Sequence, residues 1–252
     1  NMKKADVALM KRARVALVYH EAIPVGPAHD LTRYLCERGV AHLFCIAHPL
    51  IYNKEFYKNS SRYERYEGGI LVKTGQAFHW VLPDFLLYLK DLFYTIRWCL
   101  QSNKKYDLFI GLDPLNALAG LFLKRIGRTK KVVFYTIDYF TNRFENTIMN
   151  RIYHGIDKLC VRLADETWNL SSHMQEARKT HNAMSGTFYQ RQITVPISVA
   201  FGEAKRKRFE AIHKKKLIFA GYLVPILGVD LIIRAMPKII RKIPGVTLEI
   251  LG

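Results

Sequence analysis

Three features of the sequence predict an α/β protein with mainly parallel sheets and two such domains in series. Short apolar runs of strand length alternate with longer stretches of helical period, from Ala13 to the end of the chain. The runs are apolar at consecutive positions, the pattern of strands covered on both faces. The last stretch, Lys215 to Gly252, then repeats the order strand, turn, helix, strand after a dense basic segment.

In order, Ala13 to Tyr19 (ARVALVY) is a buried strand, followed by the loop HEAIPVGPAHD. A helix through Leu31, Tyr34 and Leu35 stops at Gly39, and Val40 to Ala47 is a second strand. This is how a Rossmann-like domain opens, although the loop lacks the G-x-G-x-x-G fingerprint of dinucleotide binding. Tyr52 to Glu67 is polar, basic and tyrosine-rich and reads as a surface loop, and Gly69 to Lys73 is a third strand. Trp80 to Ser102 reads as an unusually apolar helix or pair of helices. The charges at Asp84, Lys90, Asp91 and Arg97 disqualify it as a membrane span and are expected to form the one wet face of a core helix. A place on a membrane surface is the alternative.

Leu108 to Leu112 is a fourth strand, and Asp113-Pro114 supplies an N-cap and first-turn proline for a helix ending at Gly127. Lys131 to Ile137 is a fifth strand and delivers Asp138 and Tyr139 at its carboxyl end. A long helix to Ala164 carries Ile148, Ile152, Ile156, Leu159 and Leu163 at helical spacing. Glu166 to Leu170 is a sixth strand, Ser172 and Gln175 fit a capping box opening a helix to Ala183, and Ile193 to Pro196 is a short strand. The final unit runs through Leu217–Ala220, a turn from Gly221 to Gly228, a helix from Asp230 and a strand at Thr247–Leu251. The expected division is a first domain at 1–201, a basic connector at 202–216, and the incomplete start of a second domain at 217–252.

Composition narrows the functional classes. Half of the residues are apolar, ample for a core and contrary to disorder, while 39 Lys plus Arg against 21 Asp plus Glu give a net charge of +18. Such a charge attracts polyanions: an anionic membrane surface, nucleic acid or a phosphorylated substrate. Nucleic acid is the less favoured, because the aromatics lie inside apolar runs rather than among the basic clusters Lys205–Arg208 and Lys214–Lys216. Cys36, Cys45, Cys99 and Cys160 sit in apolar runs without C-x-x-C spacing, as reduced core cysteines of a cytosolic protein do. The opening NMKKADVALMKRAR holds too short an apolar run for a signal peptide.

Ligands of open parallel sheets bind beyond the carboxyl ends of strands. Three places qualify. At Val25–His29, Gly26 and Pro27 would let backbone N–H groups approach a phosphate or sugar, or simply make a βα turn. Asp138 and Tyr139 could hold sugar hydroxyls, with Asp138 the one candidate for acid–base work, or Asp138 could cap the next helix. Ser171 stands at a helix start, where capping is the cheaper explanation. No D-x-D pair, P-loop, H-E-x-x-H or G-x-S-x-G is present, and the nine histidines show no metal-ligand spacing.

Taken together, LIFAGYLVPILGVDLIIRAMPKIIRKIPGVTLEILG, VGPAHDL, YTIDYF and ADETWNLSSHMQEAR resemble the pattern of glycosyltransferase family 4, retaining enzymes of GT-B architecture. The resemblance implies two Rossmann-like domains and transfer from a UDP- or GDP-linked sugar to a glycan or lipid-linked acceptor, in polysaccharide biosynthesis. The nucleotide-sugar is substrate, and neither a further cofactor nor a metal is implied. A cytoplasmic place, peripheral on the inner face of the membrane, fits it. The turn Gly221–Gly228 corresponds to the family's donor-phosphate turn, but Tyr222 and Leu227 stand where the family has arginine and lysine. A tyrosine cannot replace a guanidinium fork. Asp138 stands where many members have histidine, and the family's paired glutamates would lie beyond Gly252. The alternatives are a basic nucleic-acid-binding α/β protein and a non-catalytic relative that has lost its donor contacts.

Overall fold

The run ARVALVY forms strand β1 (Arg14–Glu21), and its neighbour β2 (His42–Pro49) is buried along its whole length. Their side chains alternate between two cores. Ala16, Val18, Phe44 and Ile46 enter one, with Trp98 and Cys99; Val15, Leu17, Leu43 and Cys45 enter the other, with Ala28 and Leu35. Consecutive apolar residues were therefore needed, and that is what the sequence carries. The structure is a computed structural model and describes residues 10–21, 25–50, 60–182, 191–197, 207–224 and 227–252. The chain divides into two compact units, Asn1–Val199 and Ala200–Gly252.

The first unit holds one sheet of eight strands in the order β4-β3-β2-β1-β5-β6-β7-β8. The remaining strands are β3 (Arg62–Glu67), β4 (Ile70–Gln76), β5 (Tyr106–Gly111), β6 (Thr129–Thr136), β7 (Glu166–Asn169) and β8 (Gln192–Thr194). From β2 to β8 every pairing is parallel, whereas β3 and β4 are antiparallel. The surface loop expected over Tyr52–Glu67 is thus corrected at 62–67; residues 51–59 lie outside the described ones. Its charges misled: Tyr63 packs on Phe44 and Trp98, Tyr66 packs on the other core, and Arg62 pairs with Glu21. A signal was present in Gly68-Gly69, whose φ values of 57° and 86° suit a two-residue hairpin turn.

Helices cover both faces. They are α1 (Pro27–Glu37), α2 (Asp84–Gln101), α3 (Pro114–Arg125), α4 (Thr147–Leu163) and α5 (Ser172–Asn182). α2 is one helix, and its expected wet face is corrected at Lys90 and Asp91; Arg97 is exposed as expected, and the Asp84 side chain lies outside what the structure describes. Asp91 is fully buried, Lys90 has its side chain 10% exposed, and the outer stripe is Phe85, Leu89, Phe93 and Arg97. Asp91 faces inward because His20, His48 and Ser61 need its carboxylate, as described below. Among the described residues, no helix is long and apolar enough to cross a membrane. α3 begins as expected, with the Asp113 carboxylate accepting the Asn116 N–H at 2.8 Å.

Two helix starts differ from expectation. α4 begins at Thr147, capped by the Asn146 side chain, which accepts from the Ile148 and Met149 N–H groups. Asp138 therefore caps nothing. α5 takes Ser172 into its first turn, and Ser171 is the residue whose Oγ accepts the His173 N–H at 3.2 Å. In the second unit, β9 (Lys216–Ala220), α6 (Val229–Lys242) and β10 (Thr247–Leu251) form the βαβ unit, with β9 and β10 parallel.

Candidate functional site

Strand order reverses around β1: the chain moves from β1 to β2 on one side and later returns to β5 on the other. The crevice beyond the carboxyl ends of β1 and β5 is thus the switch point where such sheets bind ligands. Two ionisable side chains, His20 and Asp113, meet there, and a third, Asp91, bonds to His20. His20, at the end of β1, donates from Nδ1 to Asp113 Oδ2 at 2.6 Å and from Nε2 to Asp91 Oδ2 at 3.3 Å. Asp113 follows β5 directly, and Asp91 arrives from α2.

Behind this pair lies a second layer at the end of β2. Asp91 Oδ1 accepts from Ser61 Oγ at 3.0 Å and from Lys90 Nζ at 2.9 Å. His48, fully buried, sits 2.9 Å from Ser61 Oγ through Nδ1 and 2.8 Å from Thr95 Oγ1 through Nε2. The network assigns a tautomer: Nδ1–H donates to Ser61, and Nε2 accepts from Thr95. Burial pushes His48 below the ordinary imidazole value, outweighing Asp91, so it is neutral. Burial alone would depress His20 as well, but Asp113 and Asp91 overcome it and push His20 up to about 10. Burial opposes ionisation of Asp91 and Asp113 too. Contact with the imidazoles, His48 and His20 for Asp91 and His20 for Asp113, holds both carboxyls below the usual range. Two carboxylates thus face two cations, His20 and Lys90, which is how buried charge is tolerated.

His20 and Asp113 form part of the floor of a cavity of about 460 Å³. One wall is Phe85, Tyr88 and Leu89 of α2, and another is Met149, Ile152 and Ile156 of α4. Asp138 and Arg143 stand in the same lining, joined by a 2.9 Å ion pair, with the Asp138 side chain 46% exposed. An apolar body with a few convergent polar groups is the usual make-up of a small-molecule site. Of the residues predicted from sequence, Asp138 is the one in this cavity.

The others lie around it. Gly26, with φ 107°, caps α1 without a side-chain bond, and Pro27 opens the helix. Beside them Glu21 accepts from His29 at 2.7 Å and from Arg62; burial opposes its ionisation, and these partners hold its carboxyl low. Tyr139 turns away from the cavity toward His154, and burial pushes its phenol up to about 12. Ser171 is occupied as a cap. In the second unit, the Gly221 N–H donates to the Leu251 carbonyl at 2.9 Å, and Gly228, at φ 68°, precedes α6. Tyr222 is 67% and Leu227 48% exposed, so the turn presents a phenol and an isobutyl group and no cation. Pro225 and Ile226 within it lie outside the described residues.

Sequence reasoning missed His20, Asp91 and the second role of Asp113. His20 follows the apolar run by one residue, but its partners are 71 and 93 positions away, and no local pattern joins them.

The fold is α/β, a Rossmann-like sheet that is mainly parallel and covered by helices on both faces. Among solved structures it is similar to the catalytic domain of starch synthase IV from Arabidopsis thaliana bound to ADP and acarbose. Identity there is 12% at a TM-score of 0.62, covering 96% of this chain and 68% of that one. It is also similar to Alr3699/HepE from Anabaena in complex with UDP, at 13% identity and a TM-score of 0.55, covering 89% of this chain and 57% of that one. No family model and no curated protein matches the sequence.

Proposed function

We propose that the chain carries the acceptor-side domain, and the beginning of the donor-side domain, of a nucleotide-sugar-dependent glycosyltransferase. The observation that carries this reading is the cavity at the β1/β5 switch point of a sheet with GT-B likeness. The nucleotides named with both similar structures, ADP and UDP, support a nucleoside diphosphate sugar as donor. The reaction is transfer with retention of configuration, to a lipid-linked or polysaccharide acceptor. The apolar walls from α2 and α4 favour the lipid-linked one. Phe78, Trp80 and Val81, exposed ahead of the Phe85–Leu89–Phe93 stripe, together with the net charge of +18, support peripheral contact with an anionic membrane.

Within this reading the residues divide the work by charge state. An acceptor hydroxyl must lose its proton as it attacks. His20 is already protonated at neutral pH and bonded at both nitrogens, so it cannot take that proton. It serves as a fixed positive charge at the base of the cavity. The role of accepting a hydroxyl hydrogen bond falls, in this reading, to Asp138, which pairs with Arg143 and lines the cavity.

The test is to incubate the native full-length protein with radiolabelled UDP-, GDP- and ADP-sugars plus lipid and glycan acceptors. Label should pass to a lipid-linked product; no transfer from any donor, together with no calorimetric binding of the three nucleotides, refutes the reading. The absence of cations at Tyr222 and Leu227 favours a second reading, a relative whose donor site no longer grips phosphate. Binding of acceptor without any nucleotide would select it.

A further inference from the structure

A second cavity, about 720 Å³, opens on a different face of α4. Arg151, His154, Gly155 and Lys158 line it at positions i, i+3, i+4 and i+7, a single face of the helix. Thr141 and His181 stand opposite. His154 is fixed there: its Nε2–H donates to the Thr141 carbonyl at 2.8 Å. Neither Arg151 nor Lys158 has an ion-pair partner among the described residues, although Glu145 lines the same groove.

Gly155 is the informative residue. Glycine in a helix interior is destabilising relative to alanine, so its presence calls for a reason. Packing gives none, because a Cβ built there meets no atom of the described residues within 4 Å. Backbone conformation gives none either, since Gly155 is not among the residues with positive φ. What glycine does at this point is leave the floor of the groove flat, with one free cation a turn before it and another a turn after it.

We propose that this groove is a ligand site separate from the switch-point cavity, one that binds a phosphoryl group between Arg151 and Lys158 over the Gly155 backbone. Phosphoryl oxygens suit two flexible cations, and the missing side chain permits close approach. The group belongs to a free phosphate compound or to the headgroup of an anionic lipid. This site stands whether or not the protein transfers sugar.

Titration calorimetry of the chain with inorganic pyrophosphate, and flotation with phosphatidic acid or phosphatidylcholine vesicles, test it. Saturable pyrophosphate binding identifies a soluble phosphate ligand. Binding to phosphatidic acid vesicles alone identifies a headgroup. In either arm Arg151→Gln and Lys158→Gln should each weaken binding about tenfold, about what loss of one charge-assisted contact costs. Lys73→Gln, an exposed lysine on β4, should change nothing. Gly155→Leu should abolish binding while the melting temperature stays level or rises, which separates a filled site from a damaged fold. No binding in either arm, an equal loss in Lys73→Gln, or full binding by Gly155→Leu overturns the proposal.

Discussion

Arg178 should be the most costly single residue to truncate in the first unit. It is completely buried on α5, and all five of its N–H bonds have acceptors. Nε and Nη2 reach the two oxygens of Asp157 at 2.8 and 2.7 Å, Nη2 also reaches Thr136 Oγ1 at 2.7 Å, and Nη1 reaches Asn169 and Gln192 at 2.6 and 3.3 Å. Its guanidinium also lies 5.3 Å from the Phe134 ring and 5.2 Å from the Tyr139 ring. Arg178→Met keeps the length of the side chain but takes the bidentate guanidinium away from the buried Asp157 carboxylate. Breaking one side of a buried pair costs about 3–5 kcal/mol, a large share of the roughly 5–15 kcal/mol that holds a domain together. Urea unfolding followed by tryptophan fluorescence measures it, since Trp168 adjoins Asn169 on β7. The double variant Arg178→Met/Asp157→Leu removes both charges of the pair and should recover part of the loss. A single-variant loss below about 1 kcal/mol, or a double variant as unstable as the two singles summed, would refute the reasoning.

His20→Gln should destabilise in a pH-dependent way. The folded value of about 10 lies above the ordinary 6.5, so the stabilisation is complete below about pH 6.5 and lost as pH rises through 10. Thermal melts of wild type and variant should therefore differ most near pH 6 and converge above pH 10; a constant difference contradicts the imidazolium. Asp138→Asn should lower sugar transfer by about 100-fold in kcat with KM little changed, the scale of a lost proton acceptor, and steady-state kinetics with the native full-length protein reads it. In the same protein Tyr222→Arg with Leu227→Lys should tighten UDP or GDP binding by about tenfold or more, through charge-assisted contacts to phosphate. Unchanged affinity in calorimetry would mean that the donor is held by other groups.

The fold was largely readable because its strands are buried on both faces, which forces apolar runs such as ARVALVY and KVVFYTI. Where one strand departed from that rule, at Arg62–Glu67, the reading failed. This strand, next to the edge strand β4, is only half-buried; it keeps its charges in water or in pairs such as Arg62–Glu21 and packs through its two tyrosines. α2 failed for the opposite reason. Helical period alone cannot say which stripe faces in, and an acidic residue was assigned outward although three side chains from β1, β2 and the segment before β3 converge on it. Asp138 could be singled out as a candidate because it follows a strand. His20 could not be, because a histidine gains meaning only from carboxylates that the topology brings to it.

The antiparallel hairpin β3–β4 has a bearing on how this protein can change. β2 carries His48 and is enclosed throughout, because β3 satisfies its outer hydrogen-bonding edge. The open edge is passed to β4, where Ile70, Leu71 and Val72 are 71%, 48% and 48% exposed. Substitutions at Ile70, Leu71 and Val72 meet solvent rather than the His48 layer, whereas Gly75 lies against the Tyr63 ring and leaves no room for a side chain. β4 thus stands as the border strand, separating the strands that build the crevice from the open margin of the sheet.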